Sequence, residues 1–292
     1  MIVWVIRVAV ACVLFIFVKQ QALAFLPSDS TAIKRMVKDT LYIYEVEDKK
    51  EPDKVLHAEP LFIDLIRDLG ARKGEAEWNI GVGLADQNSV DQYSLFVEYE
   101  FAPINRLGVE FEIPFTFYSN RPDAMTSPSD RIESLKAAVQ WSFFVSEDIS
   151  TSIALGYINE LKFSDLNVIS RAPLFKSNVY NPFLIAAKRW GNNFHTLIYA
   201  GAKLEQVFKS DALKEKVEWN TNLHYMISGT RNFVGLEINK EIVDGKFNMV
   251  LRPQMRLGIA DNVLVGIVIG IPLNRESERL STFLRFIYEP PH

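Results

Sequence analysis

Read at every second position, residues 107–117 place Leu107, Val109, Phe111, Ile113, Phe115 and Phe117 on one face and Gly108, Glu110, Glu112, Pro114 and Thr116 on the other. A strand points alternate side chains to opposite faces, so this is a ribbon with one apolar and one carboxylate-bearing side, which no helix fits. The same alternation recurs at about 77–85, 92–101, 106–117, 132–145, 149–158, 178–190, 194–204, 217–227, 233–240, 246–259, 263–271 and 279–288, predicting twelve strands. Most run longer than the five or six residues usual in soluble proteins and match what a tilted strand needs to cross hydrocarbon.

The links sharpen the picture. Those at 102–105, 146–148, 191–193, 228–232 and 260–262 are tight and carry Pro, Gly, Asn and Asp, while those at 86–91, 118–131, 159–177, 205–216, 241–245 and 272–278 are mostly longer. Short and long links alternate in outer-membrane barrels, which have periplasmic turns, outside loops, an even strand count and both termini on the periplasmic side. The expected fold is all-β: one antiparallel up-and-down transmembrane β-barrel over 77–292. Tyr93, Leu95, Val97 and Tyr99, then Leu135, Val139 and Trp141, then Val263, Val265, Ile267 and Ile269 are expected to face lipid. Trp78, Phe117, Trp141, Tyr157, Trp190, Trp219, Phe286 and Tyr288 near strand ends suit interface girdles.

Ahead of the barrel, residues 1–24 read as a signal peptide: Arg7, then the apolar run 8–18, then Ala22-Leu23-Ala24 as the cleavage box, with the cut expected after Ala24. Residues 25–76 read as a periplasmic or plug-like segment. Within it Pro60, the spacing of Leu61, Leu65, Ile66 and Leu69, and Gly70 predict an amphipathic helix over about 60–70 with Asp64, Arg67 and Asp68 on its polar face. His57 and Glu59 precede it. They lack a third ligand in register, so no metal site is expected. The candidate plug or rim residues are His57, Glu59, Asp64, Arg67 and Asp68.

Charge and composition exclude other classes. The chain has 32 basic and 36 acidic residues, and removing 1–24 takes away only Arg7 and Lys19, so the mature protein is distinctly acidic and no nucleic-acid partner is expected. The single cysteine, Cys12, leaves with the signal, so the mature chain can form no disulfide or thiolate site, and no cofactor is expected. After residue 24 no apolar run approaches the roughly 20 residues of a spanning helix, so insertion must be by strands.

From the signal through the final strand the chain resembles Gram-negative outer-membrane barrels, and among them the family associated with phenol-degradation pathways. That resemblance implies a transporter or channel in the outer membrane. It also implies the bilayer and the barrel assembly machinery as partners, and a small solute, hydrophobic or aromatic, as cargo. Leu280, Thr282, Leu284, Phe286 and Tyr288 resemble the C-terminal strand recognised for barrel insertion, although Glu289–His292 follow. His57-Ala58-Glu59-Pro60-Leu61, with 68–74 and Glu77-Trp78-Asn79, also resembles a recurring opening among bacterial proteins.

The lumen is where function would be written. Glu98, Glu100, Glu110 and Glu112 fall inward on the second and third strands, Lys136 and Lys203 on strands between, Arg252 and Arg256 on the tenth and Arg285 on the twelfth. Opposite charges on separate walls either order a field that selects solutes or pair into a network that fills the barrel. A structural or surface-recognition barrel without an open pore is the alternative. A barrel hydrolase, as in a twelve-stranded outer-membrane phospholipase, needs a nucleophile beside a base. His195 and His224 point inward and neither begins a His-x-Ser spacing, so no enzyme is expected.

Overall fold

The computed structural model describes residues 30–47, 52–63, 65–87, 90–120, 128–164, 173–210, 212–274 and 278–291. The expected signal peptide, with its expected cut after Ala24, and Asp64 lie outside the described residues. One helix, α1 (Ser30–Val46), precedes β1 (Ala76–Gln87), β2 (Val90–Ile104), β3 (Leu107–Asn120), the two-residue β4 (Arg131–Ile132), β5 (Ser134–Ser146), β6 (Thr151–Phe163) and β7 (Phe175–Trp190). There follow β8 (Phe194–Val207), β9 (Ala212–Met226), β10 (Phe233–Val243), β11 (Lys246–Ala260), β12 (Val263–Pro272) and β13 (Glu278–Tyr288). Each long strand pairs antiparallel with its sequence neighbours, β13 pairs with β1, and the β2–β3 pairing completes a closed ring of twelve long strands. Closure leaves no open sheet edge, which is the condition for strands to sit in hydrocarbon.

Outward positions are apolar and exposed, as with Val82, Phe111, Leu155, Leu223 and Ile267. At the short-turn end Trp78 packs on Tyr99 at 4.6 Å and Phe194 on Tyr225 at 5.2 Å; at the other end Trp219 meets Phe247 at 5.7 Å. These are the two girdles. The strict alternation of link lengths is corrected on the long-loop side. There β1 and β2 extend until only 88–89 separate them, and β10 and β11 until only 244–245 do, because cross-strand pairing continues above the bilayer-length core.

The helix expected over 60–70 does not form; that stretch is bends and turns. Residues 52–75 instead form a strap that enters the lumen from the short-turn mouth, turns at 61–66 and returns to β1. Its backbone donors find wall side chains in place of helical carbonyls. Ala58 N donates to His195 Nδ1 (3.1 Å), Leu61 N to Gln254 (2.9 Å), Phe62 N to Glu237 (3.3 Å) and Gly70 N to Ser142 (3.0 Å). The apolar spacing that suggests one helical face arises because these residues are buried against the barrel wall. Ile63, Leu65, Ile66 and Leu69 pack with Ala138, Ala154, Ile158, Phe183, Ile185, Leu197 and Tyr199 from β5–β8.

Helix α1 was not foreseen within 25–54. It lies across the short-turn mouth, where Asp39 accepts from Gly229 N (2.9 Å) and Ser228 Oγ (3.1 Å) and Ile43 joins a cluster with Leu56, Leu61, Phe233, Leu264 and Ile287. Glu47, just past its end, accepts from Leu56 N (2.9 Å) and from Arg189 (2.6 Å), which ties helix, strap and β7 together.

Candidate functional site: a barred lumen

The strap divides the lumen into two chambers. The outer one, a cavity of about 520 Å³, has Leu61, Phe62 and Ile63 at its floor and charged and amide side chains of β2–β13 on its walls. The inner one, about 330 Å³, lies between α1, the strap and the wall, and is lined by Lys54, His57, Glu59, Arg67, Asp68, Arg256 and others. Leu61 and Arg285 line both.

An acidic wall is flanked by cations on the strands beside it. Glu98, Glu100, Glu110 and Glu112 are all buried on β2 and β3, and oxygens of Glu98, Glu110 and Glu112 approach within 4.8 Å of one another. Glu98 and Glu112 are held by cations: Arg285 pairs with Glu98 and also with Glu100 (3.2 Å), and Lys136 pairs with Glu112 (2.7 Å). Asn79 donates to Glu98 and Glu100, both at 2.8 Å, and accepts from Arg285 Nε (3.1 Å). The strap joins the same network through Arg67, which bridges to Glu77 (2.7 Å) and lies 3.7 Å from Glu100. A buried charge cluster of this kind is stable only when each member keeps a partner. One charge on each side therefore holds strap and barrel together.

The strap residues anticipated from sequence have definite partners. His57 Nε2 lies 3.0 Å from Ser152 Oγ. Glu59 accepts from Leu69 N (3.3 Å), and Asp68 accepts from Lys54 (3.0 Å), which also holds Glu75 (2.7 Å). Burial first, then His195 and Arg189, holds the His57 imidazole well below its ordinary range. Burial first, then the neighbouring Asp68, holds the Glu59 carboxyl well above its own, so Glu59 stays protonated beside an ionised Asp68. His57 Nδ1 is buried without a hydrogen-bond partner among the described residues.

Of the remaining lumen candidates, Lys203 approaches Glu218 at 3.5 Å in the outer chamber, while Arg256 stacks over Phe233 at 4.8 Å in the inner one and donates to the Arg231 carbonyl (3.2 Å). Arg252 stands over the Phe62 ring at 3.3 Å. Sequence reasoning missed the uncharged anchors Asn79, Gln140, Ser142 and Gln254. Their signal is only that they are polar residues at inward parity on β1, β5 and β11. It also missed the inward glycines that make room for the strap: a Cβ at Gly108 would lie 2.6 Å from the Arg67 side chain, and one at Gly266 2.6 Å from a Leu61 methyl. Replacing Gly266 with Val is expected to push Leu61 off β12 and loosen the strap. Trypsin should then cut the folded variant at Lys54 or Arg67 several-fold faster than the wild type, and equal rates would show that the strap absorbs the change elsewhere.

A sequence model of the HAEPLYID-like family matches residues 53–289. Its name is spelled, with Phe62 for Tyr, by His57 to Asp64 at the strap's inward turn. No curated protein sequence matches the chain. Among solved structures it is similar to an outer-membrane channel from Pseudomonas putida F1 (TM-score 0.60, 12% identity, 78% of this chain and 100% of that one). It is also similar to the NanC porin (0.53, 8%, 73% and 100%) and the KdgM porin (0.50, 11%, 73% and 99%). At these identities the likeness shows the fold, that of an outer-membrane β-barrel.

Proposed function

This chain belongs to the HAEPLYID-like family, and from that premise we propose that it is an outer-membrane channel for small solutes whose passage is gated by the strap of residues 52–75. The observation that carries the reading is the pair of chambers on either side of the strap, with Leu61 and Arg285 lining both. A barrel built only as a support has no need of a polar outer chamber ending on a removable partition. Beyond its apolar contacts with the wall and the backbone bonds at 71–75, the strap is held by side-chain hydrogen bonds and ion pairs, which water can replace when it moves. Single-channel recording of the refolded mature protein in a planar bilayer tests it. Small, intermittent steps are expected. Silence in the full chain and in a strap-deleted chain, where a control porin conducts, would favour a structural or surface-recognition barrel.

The strap's own titrating groups give opposite pH signatures. His57 is held neutral in the docked strap and returns to its ordinary value near 6.5 when released. Its contribution to docking is therefore full above that pH and is lost as the pH falls below it. Glu59 is held protonated when docked and returns to about 4.5 when released, so its contribution is full below 4.5 and is lost as pH rises toward the docked value. Between these two ordinary values the slopes oppose. Glu59→Gln, which leaves His57 in control, should conduct more at pH 5 than at pH 7; His57→Gln should conduct less. Slopes of the same sign in both variants would break the assignment.

A further inference from the structure

We infer that the floor of the outer chamber is a binding site for a small aromatic carboxylate, with Arg252 receiving the carboxylate and the Phe62–Phe283–Phe96 floor receiving the ring. This deepens the channel reading and rests on it for the route by which the solute arrives.

The cation comes first. In the same chamber Arg285, Lys136, Lys203 and Lys216 each lie within ion-pair distance of a glutamate, and Lys240 donates to the Thr221 hydroxyl (2.9 Å). Arg252 also has no glutamate within that distance, and unlike Lys240 it touches the aromatic floor. Its register partner across β10–β11 is Glu237, yet the two side chains part. Glu237 turns toward the strap, where it accepts from Phe62 N (3.3 Å), Gln254 (3.2 Å) and Asn239 (2.6 Å). Arg252 turns the other way and donates to neutral oxygens, Asn239 Oδ1 (2.7 Å) and Ser281 Oγ (3.3 Å). Its Nη2 has no protein partner among the described residues. By capturing Glu237, the docked strap leaves an arginine at its surface without a carboxylate. Gly270 provides the seat, since a Cβ there would lie 2.4 Å from the Arg252 guanidinium.

The floor comes second. Phe62 lies under Arg252 and meets Phe283 edge-on at 6.0 Å, and Phe283 stacks on Phe96 at 5.8 Å. All three line the chamber, and Phe62 is 42% exposed although it sits at the centre of the barrel. An open aromatic floor beside one unmatched guanidinium fits a ring bearing a single negative charge: the charged hydrogen bond fixes one end and the ring edges and faces the other. Glu237, Glu278 and Glu241 act on Arg252 from beyond ion-pair distance, and Glu278 and Glu241, which line the same chamber, oppose a second negative charge.

Isothermal titration of the full mature protein in detergent micelles with benzoate, benzyl alcohol and acetate tests the inference. Benzoate should bind at least about tenfold more tightly than either of the others, the scale of one charged hydrogen bond. Arg252→Gln should reduce benzoate affinity to that of benzyl alcohol, Arg252→Lys should retain part of it, and Glu278→Gln should raise it. Heat-modifiable migration on gels confirms that each variant keeps the barrel. Equal benzoate affinity in wild type and Arg252→Gln, or acetate binding as tightly as benzoate, would overturn the site. Because binding is read without a bilayer, a protein that conducts but does not bind benzoate sinks only this inference, and one that binds but never conducts sinks only the channel.

Discussion

A chain lacking residues 30–75 is expected to fold as the same barrel and to conduct in steps several-fold larger than the full-length mature protein. Twelve strands enclose a lumen between the small, side-chain-filled barrels and the open porins, so what fills it decides conductance. Here the filling is chiefly the strap, with α1 across the short-turn mouth. The wall groups the strap would abandon include polar ones, Ser142, Ser152, His195, Glu237 and Gln254, which water can satisfy, and apolar ones on β5–β8 such as Phe183, Ile185 and Leu197, whose exposure is expected to cost stability without opening the ring. The barrel's own stability lies in the closed ring of strand pairs, which the deletion leaves intact. Conductance unchanged by the deletion, in a chain whose strand content by circular dichroism is preserved, would show that the constriction lies in the wall and not in the strap.

Replacing Arg285 with Met should cost about 3–5 kcal/mol, the usual penalty for leaving a buried charge without its partner. Arg285 is the cation shared by Glu98 and Glu100 and is also bonded to Asn79, and all three partners are almost wholly buried. Removing it leaves two carboxylates side by side on β2 with only the Asn79 amide and the more distant Arg67. Equilibrium unfolding in urea from lipid bilayers measures the loss. Adding Glu98→Gln to the variant should recover a large part of it by removing one of the two stranded charges. Arg67→Met offers the contrast: that residue belongs to the strap, so its loss should raise conductance while moving the unfolding midpoint much less. If Arg285→Met and wild type unfold within about 0.5 kcal/mol, the range of ordinary surface substitutions, the network is not what joins β13 to the acidic wall.

The inward positions of Glu98, Glu100, Glu110, Glu112, Lys136, Lys203, Arg252, Arg256 and Arg285 are all legible from parity alone, because a strand's side-chain period is 2 and the opposite face is apolar without interruption. Their partners are not. That Arg285 meets Glu98 depends on β13 closing onto β1, which brings together residues nearly two hundred positions apart. That Arg252 is left without a carboxylate depends on Glu237 being drawn away by the strap. The failure at 60–70 has the same origin. Helical spacing of Leu61, Leu65, Ile66 and Leu69 is evidence for a helix only if helical carbonyls take the backbone donors, and here wall side chains do so.

The sequence by itself determined the barrel: twelve alternating ribbons of membrane-spanning length, tight turns at one end, and an apolar outer face facing a charged inner one, all local properties that each strand carries alone. Only the tertiary structure decided that the segment before the barrel is an irregular strap across the lumen and that a helix at 30–46 lies across the mouth behind it. It also decided which charges pair across the bore. The physical reason is that the strap's backbone donors are satisfied by wall side chains distant in sequence. A pattern of neighbours along the chain cannot record bonds that exist only after the ring has closed.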